Sequence, residues 1–179
     1  MKQKQTSISQ LDILILLKII SLWGKDWYQS DLAKSLGISQ SEVSKSLHRL
    51  KIAWLLTPNN KYSFVMRDNV LEFLKYGIRY VYPQWPGAIV RGIPTAHSSP
   101  VMKNEIASND HFVWPYAKGT IKGQSIIPLY HTVPEAALTD NNLYQLLALV
   151  DAIRIGNARD KQLSFEKLEK RILLGEYNN

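Results

Sequence analysis

The chain has 179 residues, room for one well-cored domain or two small ones, and a formal net charge of +7. It contains no cysteine, which excludes a disulfide framework and any thiolate metal site. No run reaches the roughly 18 uncharged apolar residues of a membrane span, since the best candidate, 11–23, includes Asp12 and Lys18.

The start, Met1-Lys2-Gln3-Lys4-Gln5, is polar and lacks a small-residue cleavage site before the first apolar stretch. The expectation is a globular cytoplasmic protein with no secretory signal and no membrane partner. Charge divides unevenly along the chain. Residues 1–90 hold 12 Lys/Arg against 6 Asp/Glu, and residues 91–179 hold 10 against 9. From Lys34 to Arg67 there are six bases and one acid, Glu42. The partner such a patch selects is a polyanion.

In chain order, residues 11–23 are apolar at almost every position, so as a helix they need cover on more than one side. That cover comes from their own domain and from either a second subunit or the C-terminal helices. Gly24 ends the helix. Ser30 to Leu36 forms a short helix, capped by Ser30 or Asp31, with Leu32, Ala33 and Leu36 turned inward. Gly37 makes a turn. Ser39 then caps a second helix, and Glu42 stands at capping-box spacing. Val43, Leu47 and Leu50 give that helix one buried stripe.

Residues 54–56 and 62–66 pattern as two strands joined by the turn residues 58–61, and 70–82 is helical up to Pro83. The stretch 83–134 contains seven of the eight prolines, with Trp85, Trp114 and Tyr116 among them. It is too aromatic for a flexible linker and reads as an ordered, irregular layer with short strands such as 119–127. A helix at 142–155 ends at Gly156, and Ser164 caps a last helix running to Leu174. The fold class is therefore mainly α with a small β-wing: a winged helix-turn-helix at 1–82 with its flanking helices, then 83–179, an irregular Pro/Gly/aromatic-rich layer and C-terminal helices for dimerisation or partner binding.

A helix-turn-helix needs a small residue where its helices meet, a glycine at the turn and apolar residues locking the pair. Ala33, Gly37 and the set Leu32, Leu36, Ile38 and Val43 supply these. The second helix then offers Gln40, Ser41, Ser44, Lys45, His48 and Arg49 to a major groove, each able to donate a hydrogen bond to a base edge or phosphate. Ser30, Ser39 and Lys51 join them as candidate DNA contacts. At the hairpin tip, Asn59, Asn60 and Lys61 suit phosphate or minor-groove contact.

The run from Leu32 to Leu50, LAKSLGISQSEVSKSLHRL, resembles the winged-helix core of MarR-type regulators over about a third of the chain. That resemblance implies a homodimeric repressor bound to a palindromic operator. The run Tyr130 to Arg159 is similar to bacterial MarR-like proteins of unassigned role. Some winged-helix proteins of this build act as antitoxins, which keeps a toxin as an alternative partner for residues 83–179. The irregular layer departs from the family's all-helical pattern, so its ligand pockets are not carried over.

Catalytic constellations are weak. His97, His111 and His131, with Asp110, are 14 and 20 residues apart, which matches no tight zinc motif. Gly119 and Gly123 lack the Gly-Lys-Ser/Thr ending of a phosphate loop. The expectation is a non-enzymatic protein without metal or cofactor that regulates transcription through double-stranded DNA.

Overall fold

The computed structural model describes residues 6–58, 63–102, 105 and 110–177. Helix α1 (Gln10–Ser21) begins at a Ser9–Asp12 capping box. Ile13 to Leu17 have no exposed surface at all. The second cover that so apolar a helix requires comes from this chain's own α7 (Asn141–Ile155), which packs along it. The junction carries an ion pair: Lys18 Nζ donates to Asp140 Oδ2 at 2.6 Å, and Asp140 also caps α7 by accepting from the Leu143 amide. Burial raises the Asp140 pKa, but the Leu143 amide, Lys18 and Ser21 outweigh it and hold the carboxyl below its ordinary value.

Helices α2 (Gln29–Leu36) and α3 (Gln40–Ile52) follow, near the expected bounds. Neither residue expected to cap α2 precedes it. Tyr28 is the cap position, with its amide bonded to Asp31, and Ser30 lies exposed inside the first turn. Next come α4 (Arg67–Tyr76) and α5 (Ile78–Val81), which break the single expected helix at Gly77.

In the layer expected to be irregular, β1 (Ile89–Pro94), β2 (Phe112–Pro115) and β3 (Ile121–Ser125) form a small sheet in which each strand bonds both others. β1 is antiparallel to both partners, with Ile93 opposite Trp114 and Arg91 opposite Lys122; β2 and β3 are parallel. Closing three strands so tightly needs bare backbone. A Cβ on Gly119 would lie 2.2 Å from the Gly92 carbonyl oxygen. Helix α6 (Val133–Thr139) leads into α7, and α8 (Ala158–Glu169) runs on through a π-type turn to Leu174. Asn157 caps α8; Ser164, expected as the cap, is buried within it.

One cluster of buried side chains joins α1, α2, α3 and α4 to the sheet, α7 and α8, so the core crosses the composition change at 82/83. Among the described residues no helix is long and apolar enough to cross a membrane. The sheet is tied to α7 by Asp151, which accepts from Thr95 Oγ1 (2.9 Å), Trp114 Nε1 (2.6 Å) and Arg154 Nη1 (2.7 Å) while almost wholly buried. Removing this carboxylate orphans three donors, one of them a buried guanidinium. Asp151→Ala is therefore expected to lower stability by about 3–5 kcal/mol in urea unfolding; a loss near zero would show that the carboxylate is not what joins sheet to helix.

Candidate nucleic-acid interface

The α2–α3 pair is set by one backbone position. Gly37 takes a left-handed conformation (φ 65°), which lets the Ile38 amide return to the Ala33 carbonyl at 3.0 Å. Leu32, Ala33 and Leu36 of α2 meet Val43, Leu47 and Leu50 of α3, all buried. At the head of α3 the expected capping box is complete. The Ser39 amide donates to Glu42 Oε2 at 2.9 Å, and the Glu42 amide donates to Ser39 Oγ at 3.2 Å. The Ser39 hydroxyl is thus occupied by the cap, as is the single acid on this helix.

The Ser39 amide, then the Ser39 hydroxyl, hold the Glu42 carboxyl below its ordinary pKa. A lowered pKa means that the cap contributes fully above the ordinary glutamate value and is lost as pH falls through the lowered one. The melting temperature of Glu42→Ala should lie below that of the parent at neutral pH, and the gap should close in acid. A gap of constant size down to acid pH would contradict a charged cap.

Gln40, Ser41, Ser44, Lys45 and His48 are all exposed along one side of α3, with Lys51 half-buried on its flank. Arg49 is the correction to the expected face. Its guanidinium turns inward and grips Asp12 of α1 bidentately, Nε to Oδ2 at 2.7 Å and Nη2 to Oδ1 at 2.6 Å, and also reaches Ser46 Oγ. Asp12 is completely buried. The interaction that wins is the cost of leaving that carboxylate unpaired in the core, which exceeds the value of one more outward cation. Asp12 was the overlooked signal, an acid within an apolar helix. Arg49→Ala should destabilise the fold by about 3 kcal/mol in chemical unfolding, whereas Lys45→Ala should change stability little; equal stability of the two variants would refute the strut.

The expected hairpin is reduced. Among the described residues, one bridge, Leu56 with Val65, stands where two strands were expected, flanked by bonds from Thr57 to Phe64 and from Met66 to Leu55. The residues before it belong to the end of α3. Trp54 is left-handed (φ 56°), its amide bonds Lys51, and the Leu55 and Leu56 amides both return to Leu50. Asn59, Asn60 and Lys61 lie outside the described residues. The expected DNA contacts are thus divided: five stand together on α3, Ser39 is in the cap, Arg49 is inside, and Ser30 is on α2.

Sequence reasoning also missed a cleft on the flank of α3, between Lys51, the loop after α1 and the segment 63–67. The aromatic residues between 76 and 116 differ widely in burial. Trp114 is buried, while Tyr76, Tyr80 and Trp85 are 64%, 74% and 86% exposed. Of the histidines, His97 Nε2 lies 2.8 Å from the Asp110 carbonyl oxygen, and no group of ligands that could hold a metal forms among the described residues.

Three helices closed by a glycine turn, with an exposed polar and basic face on the third, define a helix-turn-helix. Residues 6–53 match the family model described as a helix-turn-helix domain, a span that covers α1 to α3 and stops before the hairpin. The N-terminal part of the chain is accordingly a helix-turn-helix domain of the DNA-binding kind. No curated protein and no solved structure matches the chain.

Proposed function

We propose that this chain is a sequence-specific double-stranded DNA-binding regulator of transcription, a homodimeric repressor of MarR-like, winged type. It acts in the cytoplasm by binding rather than by catalysis. The observation that carries this reading is the side of α3 formed by Gln40, Ser41, Ser44, Lys45 and His48. All five are exposed, all can donate to bases or phosphates, and the helix's one acid is held in the Ser39 cap. In the major groove, Gln40 and Ser41 at the N-terminal end of α3 stand nearest the bases, and Lys45 stands on the next turn. The wing is supported by the Leu56–Val65 bridge, which pairs the chain after α3 with the chain before α4.

The homodimer is supported by the exposed apolar run Tyr80, Val81 and Trp85, which a second copy would cover. A two-fold dimer predicts a pseudo-palindromic site with half-sites about one helical turn apart. In fluorescence anisotropy with duplex DNA from the chain's own promoter, affinity should fall steeply with salt. Lys45→Ala and His48→Ala should each weaken binding about tenfold, or about 1.4 kcal/mol, with unchanged folding. Folded variants that bind as tightly as the parent would remove this face as the reading surface.

A further inference from the structure

The cleft beside α3 encloses about 960 Å³, at the upper end of the roughly 300–1,000 Å³ typical of small-molecule sites. Three separate segments build it: the loop after α1, the flank of α3 and the segment 63–67. Its wall is aromatic. Tyr28 and Phe64 are 73% and 59% exposed, and Trp23 is 38% exposed with the Arg67 guanidinium 4.7 Å over its ring. Its charge is positive, from Lys25, Lys51 and Arg67, against one acid, Asp26.

Of this wall, Trp23 is held in place. Trp23 (φ 43°) and Gly24 (φ 75°) are both left-handed, a costly conformation for tryptophan. The backbone of Gly175 supports the Trp23 ring so closely that a Cβ there would lie 2.2 Å from Cε2. The flat rings of Tyr28 and Phe64, left in water next to Lys25, Lys51 and Arg67, suit a ligand with a planar ring system and an attached anion. Bases stack on tyrosine, phenylalanine and arginine planes, and phosphates pair with lysine and arginine.

We propose that this cleft binds a nucleotide, its base on the aromatic wall and its phosphate on the cations, and that the occupant competes with duplex DNA. Competition follows from shared residues, because Ser44 and His48 line the cleft and also belong to the outer face of α3. This last step rests on the DNA-binding reading above. The same chemistry is offered by a free nucleotide and by a nucleotide within a single strand.

The test is tryptophan fluorescence of the full chain titrated with ATP and, separately, with a short oligothymidylate, each repeated by competition against labelled duplex DNA. Tyr28→Ala and Lys25→Gln serve as variants, both at exposed positions and both checked by circular dichroism. Quenching by ATP that each variant weakens about tenfold, with ATP displacing the duplex, supports the proposal with a free nucleotide as occupant. Quenching and displacement by oligothymidylate alone support it with a strand as occupant. Duplex binding without quenching by either probe overturns the nucleotide site and leaves the DNA reading standing. Quenching unaffected by both folded variants also overturns the site. Quenching with no duplex binding overturns the competition and the DNA reading, but not the site.

Discussion

A helix that is apolar on every side must be covered on every side, and α1 is such a helix. Its inner residues Ile13 to Leu17 are sealed by α2 and α3 on one side and by α7 on the other. The helix-turn-helix therefore has no core of its own to close. It shares one with the C-terminal helices, and the position of α3 is tied to that of α7 through α1. Two polar links fix the arrangement: Asp12 to Arg49 on the α3 side and Lys18 to Asp140 on the α7 side. Each puts a charge from α1 where hydrocarbon would otherwise be, so each couples packing to register, because a slipped helix would leave a buried charge without its partner.

This constraint shapes the exposed face of α3. Arg49 holds α3 in place, and the exposed face consists of smaller donors together with Lys45 and His48. A helix anchored from behind presents those donors with little reorganisation, as direct recognition of base edges requires. The same anchoring connects the face to the rest of the chain. Tyr130 Oη donates to Glu42 Oε1 at 3.4 Å, and the Tyr82 hydroxyl bonds the Ile8 carbonyl, so residues before α7 touch both the cap of α3 and the start of α1. A displacement of the sheet or of α6 would be felt at the recognition helix through these contacts.

The local rules of helix and turn were legible in the residues. Ser39 with Glu42, Gly37, and the stripe Val43, Leu47 and Leu50 locate the turn and α3 because each acts within a few residues of itself. Gly156 likewise marks the end of α7. What was not legible depends on partners far away in the chain. Arg49 reads as an outward cation until Asp12, 37 residues earlier, is seen beside it. The three-stranded sheet was hidden because its pairing joins 89–94 to 112–115 and 121–125 across proline-rich loops. Ser164 looked like a cap because a serine before an apolar run favours one, but α8 had already started at Asn157, and tertiary packing buried the serine. The cleft was invisible because its aromatic and basic residues come from three segments that only the fold brings together.

Sequence-specific duplex binding by the exposed face of α3 is tested by selecting bound sequences from a random duplex library with the purified full chain. The expected result is a single enriched motif that disappears from the pool when Lys45 and His48 are both replaced by alanine in a protein that still folds. A pool with no enriched motif, or the same motif returned by the doubly substituted chain, would contradict it.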